Sequence, residues 1–388
     1  MGASGETGAP FPHVRVGGEA RERGRAYGAA AAERVARSVE AYREVFAHYA
    51  GWDWSRVREE AALYEEPIKA YGAKYMDELR GIAEGAGLEL VDVLAINVRT
   101  EVMFAAQARQ AGRLPSECSA FAVLPEASAD GHTLVGQNWD WLPHCFDTVV
   151  VLEAEQDDGP NFVTVVEAGL LAKTGMNSSG LGLVTNALVT AADRGEPAVP
   201  FHVLLRAILD AHNASDALAA LQRSKRSSSA NYLIAHRDGL AVDVEAVPGD
   251  FRRLFLVFPE DGVLLHTNHF LSQLPVTDVS VWSMPDSPFR LERMRRAVRE
   301  RGPKLSLEDF RELLGDHANH PSGVCCHPDP RLVPLERSAT VASVLMDLDA
   351  MRMWVADGFP CRTPYRELDC SELLAKPSPV AAPNAKDD

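Results

Sequence analysis

A cysteine at position 118 stands where a helical stretch gives way to short β-branched runs, and the small residues Ser119 and Ala120 follow it. A cysteine that begins a strand is ordinarily a small buried hydrophobe. What sets Cys118 apart lies downstream. GQNWDW closes the second apolar run with Gln137, Asn138 and Asp140, and antiparallel pairing would bring an amide and a carboxylate beside the start of the first run. Two later apolar runs end in an asparagine preceded by threonine: Asn186 in GLGLVTNAL and Asn268 in GVLLHTNHF. Singly, each asparagine reads as a loop residue satisfying backbone. Together, a thiol, a carboxylate and several amide donors are the groups needed to attack a carbonyl carbon and stabilise the oxyanion that forms.

The motifs ECSAF, GQNWDW, GMNSSGLGLVTNAL, LLHTNHF and SPFRLER, in that order and at those spacings, resemble the isopenicillin-N (acyl-coenzyme A:6-aminopenicillanate) acyltransferase family. More distantly they are similar to the bile-acid and penicillin V amidases. The resemblance implies an α+β fold, the four-layer αββα sandwich of the N-terminal nucleophile hydrolases. It also implies a precursor that cuts itself immediately before its nucleophile, here between Glu117 and Cys118. Chemistry explains the cut. A thiol of pKa about 8.5 is mostly protonated at neutral pH, and an α-amino group of pKa about 7.7 to 8.0 is suited to take that proton. While Glu117 is attached, the same nitrogen is an amide without basicity.

Carried over residue by residue, the family implies that Cys118 attacks the acyl carbonyl and Asp140 orients the α-amino group. Asn268 donates to the oxyanion, and Asn186 helps to hold the substrate or the tetrahedral intermediate. Gln137 and Asn138 support them, and either Arg290 or Arg293 supplies an arginine near the catalytic group. Glu117 departs from the glycine often found before the nucleophile of the acyltransferases. Gln137 stands where the bile-acid amidases tend to have arginine, which places the chain nearer the acyltransferase branch. The expected activity is that of an amidase or acyltransferase working through a Cys118 thioester on a small N-acylated amine, amino acid or peptide. No cofactor is expected, and acyl-coenzyme A is a candidate co-substrate. The rival reading is an unprocessed, non-catalytic or metal-stabilised binding protein on the same fold, favoured by Glu117.

A second cluster, His317, His320, Cys325, Cys326 and His327, is rich in zinc-type ligands. Its spacing argues against a metal, because adjacent cysteines do not readily face one tetrahedral ion and no second ligand pair stands at knuckle spacing; the resemblance implies the same, since that family has a similar cysteine and histidine loop without metal. No metal is expected there.

These residues need a scaffold, and the chain is long enough to supply one. It has 388 residues, 46% of them hydrophobic and 24% charged, which is ordinary globular usage. A net charge of -16 opposes binding to nucleic acid or anionic lipid. Neither a membrane-spanning run nor a secretory leader is legible, so the expected compartment is the cytoplasm. Apolar residues at helical spacing from about residue 19 to 108 predict a helical N-terminal unit. Strands begin at Cys118, helices occupy about 201–221, and a hairpin turning at Asp238-Gly239 follows. Two further helices come next, the second started by a Ser306/Asp309 capping box, and a strand pair closes the fold. The expected organisation is a helical pro-segment or small subunit over 1–117, released or retained after self-cleavage, a catalytic unit over 118–375 and a disordered tail over 376–388.

Overall fold

The protein is described by a computed structural model over residues 10–110 and 118–376. Glu117 and the tail from residue 377 lie outside the described residues. The chain opens with β1 (His13–Gly18). A run of helices follows: α1 (Ala20–Ala30), α2 (Ala32–Ala50), α3 (Trp54–Ala62), α4 (Glu65–Tyr71), α5 (Ala73–Ala86), α6 (Leu90–Asn97) and α7 (Arg99–Gln110). Then come β2 (Ser119–Val123), β3 (Leu134–Trp141), β4 (Val149–Gln156), β5 (Phe162–Glu167), β6 (Thr174–Asn177) and β7 (Leu181–Ala187). α8 (Phe201–Leu209) and α9 (Ala214–Gln222) precede β8 (Ala230–His236), β9 (Leu240–Ala246), β10 (Leu254–Val257) and β11 (Val263–His266). The chain continues through α10 (Ser280–Ser283), α11 (Ser287–Arg301), α12 (Leu307–Leu314), β12 (Ala339–Asp347), β13 (Arg352–Ala356) and β14 (Arg366–Asp369).

The strands form two sheets, of order β1-β4-β5-β6-β7-β8-β9-β10 and β11-β2-β3-β12-β13-β14. The sheets face each other through β2 and β3 on one side and β7 and β8 on the other. α8 and α9 cover the outer face of the larger sheet, while α11 and α12 cover that of the smaller one. The result is the expected four-layer αββα arrangement. It explains why β2, β3, β5 and β12 are buried at every position: a strand covered on both faces reads as a continuous apolar run, not as an alternation.

Local signals act as the residue types require. The Ser306/Asp309 capping box starts α12, Asn213 caps α9, and Gly239 turns the β8–β9 hairpin at a φ of 77°. Gly24 and Gly28 of α1 meet Gly81 and Gly85 of α5 so closely that a Cβ at any of the four would sit 2.1 to 2.2 Å from the other helix's backbone. Only glycine permits that approach.

The N-terminal unit is not purely helical. β1 runs parallel to β4 at the edge of the large sheet, with Val14 opposite Leu152, and β14 extends the small sheet beyond the expected closing pair. Both are short edge strands with partly exposed faces, so neither carries the apolar run that marks the central strands. No helix among the described residues is long and apolar enough to cross a membrane.

Candidate active site around Cys118

Cys118 begins the strand region at the edge where β2 meets β3, with the next residue, Ser119, opposite Asn138. It is 2% exposed. Its backbone nitrogen donates to Asn268 Oδ1 at 2.5 Å. Its carbonyl oxygen accepts from Asn186 Nδ2 at 3.2 Å and from Arg290 Nη1 at 2.8 Å. One residue is thus gripped at both backbone polar atoms by side chains from β7, from the loop after β11 and from α11. Its Sγ lies 3.9 Å from the backbone carbonyl of Asp140, which is itself fully buried at the end of β3.

Each gripping side chain is itself held. Asn231 Nδ2 on β8 donates to Asn186 Oδ1 at 3.1 Å and to Asp243 Oδ1 at 2.6 Å, which fixes the Asn186 amide with its NH2 toward Cys118. Asn268 donates through Nδ2 to Ala187 O at 3.0 Å and through its backbone nitrogen to Ser287 Oγ at 2.7 Å. Arg290 lies one turn into α11. Its Nε contacts Asp286 Oδ2 at 2.7 Å, and its other nitrogens reach Ser119 Oγ at 3.1 Å and Asn268 Oδ1 at 2.9 Å. A planar guanidinium with five donors suits that convergence.

The choice between the two arginines is settled by helix periodicity. Arg290 faces the sheet and is buried, whereas Arg293, three residues on, pairs with Asp316 at 2.6 Å in a partly exposed bridge. Two other residues expected beside the nucleophile are engaged elsewhere. Asn138 points to the outer face of β3, where Nδ2 holds the carbonyls of Leu314 and Val324. Gln137 alternates to the inner face and accepts from Thr185 N at 2.7 Å, which ties the two sheets together. Side chains at successive strand positions point to opposite faces, so neighbours in GQNWDW cannot all reach one thiol.

Sequence reasoning missed Lys173, on the turn between β5 and β6. Its ammonium is 4.7 Å from the centroid of the Trp139 ring, in a contact favourable to a cation. Burial pushes the Cys118 thiol up, the positive charge of Lys173 opposes that, and the negative charge of Asp140 adds to it. Lys173 is in turn lowered to about 8, chiefly by burial, with the thiol acting to raise it. No periodicity marks the lysine of EAGLLAKTG as buried; only the folded proximity does. Behind it, Arg99 of α7 pairs with Glu167 at 2.5 Å, and Glu167 also accepts from Tyr42 and His144. The N-terminal unit and the strand unit therefore share a buried ionic network. A separate cleft of about 950 Å³ opens along the loop after β7. Its walls include Arg194, Lys225 and Arg253 but none of Cys118, Asn186, Asn268 or Arg290.

A buried cysteine whose backbone atoms are held by amide and guanidinium side chains thus stands on a two-sheet, helix-covered scaffold. The family of acyl-coenzyme A:6-aminopenicillanic acid acyl-transferases matches residues 127–360, and the chain belongs to it. It is 25% identical over 313 residues to the acyl-coenzyme A:6-aminopenicillanic-acid-acyltransferase 40 kDa form of Emericella nidulans, a match covering 81% of this chain and 84% of that protein. It is 24% identical over 318 residues to an uncharacterized protein of Archaeoglobus fulgidus, covering 73% of this chain and 52% of that protein, about half its length. Among solved structures, it is similar to the conjugated bile acid hydrolase of Clostridium perfringens (TM-score 0.47, 14% identity, 66% of this chain and 94% of that one). It is also similar to penicillin V acylase of Agrobacterium tumefaciens (TM-score 0.45, 12% identity, 67% and 88%).

Proposed function

We propose that the chain is a self-processing cysteine amidase or acyltransferase in which Cys118 becomes the N-terminal residue of the working subunit. The observation that carries this reading is the two-sided grip on Cys118: Asn268 on its nitrogen, Asn186 and Arg290 on its carbonyl. A residue held in that way keeps its position when the bond to Glu117 is broken.

Processing begins when Sγ attacks the Glu117 carbonyl carbon. The Cys118 nitrogen takes a proton and leaves, so a thioester replaces the amide, and water then releases Glu117 as a carboxylate. The freed α-amine, held by Asn268 Oδ1 and oriented by Asp140, is the base that accepts the thiol proton in each later turnover. Sγ next attacks the acyl carbonyl of the substrate. The amine leaves with that proton, and water or a second amine attacks the thioester to regenerate the thiol. Asn268 Nδ2 has two hydrogens; one goes to Ala187 and the other serves the oxyanion. One such donor contributes on the order of 3 kcal/mol of barrier lowering. Lys173 stabilises the thiolate.

The N-terminal unit stays bound after the cut. β1 pairs with β4 along its length, and Arg99 is buried against Glu167, so departure would expose both. The substrate class is a small N-acylated amine, amino acid or peptide. Acid quenching of processed enzyme during turnover, followed by mass analysis, tests the thioester: added acyl mass on the fragment beginning with Cys118 supports it. Turnover by a Cys118→Ala chain contradicts it.

A further inference from the structure

Away from the thiol, the fold brings the sequence-distant Cys361 to three residues of the histidine and cysteine cluster. His317 and Cys325 stand in the loop after α12, His327 follows two residues later, and Cys361 belongs to the turn after β13. Their ligand atoms all lie within 4.8 Å of one another. His317 Nε2 is 3.1 Å from His327 Nε2, and His327 Nε2 is 3.5 Å from Cys325 Sγ and 3.6 Å from Cys361 Sγ. Zinc bonds of about 2.3 Å to sulfur and 2.0 to 2.1 Å to nitrogen, set at tetrahedral angles, place two nitrogens about 3.3 Å apart and a nitrogen and a sulfur about 3.5 Å apart. We propose that His317, Cys325, His327 and Cys361 form a tetrahedral zinc site.

The objection drawn from the adjacent cysteines falls away, because Cys326 is not one of the four. Its Sγ faces the carbonyl of His327 at 3.9 Å, and the fourth ligand comes instead from Cys361. The His327 ring lies 4.5 Å from Phe359 and only 3° from parallel to it, which holds its Nε2 toward the other three atoms. Two thiolates and two neutral imidazoles compensate a divalent ion, and binding releases the two thiol protons. A set with four protein ligands is a closed, structural site; soft sulfur with imidazole selects zinc over magnesium or calcium.

The site clamps the loop after α12 to the turn after β13, directly behind β3. Asn138 holds the carbonyls of Leu314, the last residue of α12, and of Val324, which precedes Cys325. Thr340, opposite Asp140 in the ladder, bonds Cys326 in both directions. The metal therefore braces the strand that carries Asp140 from its outer face, and it stands or falls separately from the thioester chemistry.

Elemental analysis of the full-length protein tests the assignment, with about one zinc per chain expected. Cys361→Ser and His317→Ala chains should lose that zinc, while His320→Gln, at an exposed neighbour outside the set, should keep it. Chelation of the wild-type protein should lower its melting temperature, and added cobalt(II) should restore it with thiolate-to-metal charge-transfer absorption that the Cys361→Ser chain lacks. Zinc retained in Cys361→Ser would overturn the assignment. So would a metal-free wild-type chain, with either a Cys325–Cys361 disulfide or two free thiols.

Discussion

Replacing Arg290 with methionine removes a side chain that touches both Cys118 and Asn268. Three consequences can be separated. Asp286, 5% exposed, loses its 2.7 Å partner; stripping one member from a buried ion pair typically costs about 3 to 5 kcal/mol. The Cys118 carbonyl keeps Asn186 and loses one of two donors, a further cost of about 1 kcal/mol. Asn268 Oδ1 keeps the Cys118 nitrogen alone. The expected loss of stability is on the order of 5 kcal/mol, a large share of a typical domain's total. Denaturant unfolding measures it. A double variant, Asp286→Asn with Arg290→Met, removes the orphaned charge and should recover about half of the loss, while self-cleavage stays slow because the grip on Cys118 is still broken. Unfolding of Arg290→Met within about 1 kcal/mol of wild type, or cleavage of the double variant at the wild-type rate, would show that Arg290 does not hold Cys118 in this way.

Lys173→Met in the processed enzyme should move the pH profile of Cys118 alkylation upward by about one pH unit, because the cation that opposes burial of the thiol is gone; an unmoved profile removes Lys173 from the site. In wild type the aid from Lys173 fades as pH rises through about 8, where the lysine loses its proton. Glu167 gives a stability prediction of opposite direction. Burial alone would raise its pKa, but Arg99 and then His144 override that and hold it at about 2, below its ordinary 4.5. A carboxyl lowered on folding stabilises above its unfolded pKa and loses that contribution as pH falls, so roughly 3 kcal/mol should disappear between pH about 5 and 2. Acid unfolding of Glu167→Gln, from a lower starting stability, should show a visibly flatter slope across that window; an equal slope would mean the carboxyl is not held as described.

The central strands are legible in the sequence, as are Cys118, Asn186 and Asn268 as strand-end residues, because these carry strong local signals. β2, β3, β7 and β11 are apolar runs bounded by turns, and Cys118, Asn186 and Asn268 sit at or just beyond their ends. What is not legible there depends on contacts formed only on folding. β1 and β14 are edge strands whose sequences lack an apolar run. Asn138, Gln137 and Arg293 share motifs with residues that lie against Cys118, but strand alternation and helix periodicity aim them elsewhere. Lys173, Asn231 and Asp243 enter through sheet pairing, at sequence positions that look like ordinary turn and strand residues. Cys361 joins three ligands from another loop across β12 and β13, a closure that no spacing rule in the linear chain anticipates.

The free backbone nitrogen of Cys118 is the point on which the chemistry turns, and the mass of the purified protein under denaturing conditions reads it directly. Active wild-type enzyme should give two fragments that meet between Glu117 and Cys118, and Cys118→Ala one intact, inactive chain. Full amide turnover by a chain still joined at that bond would contradict it.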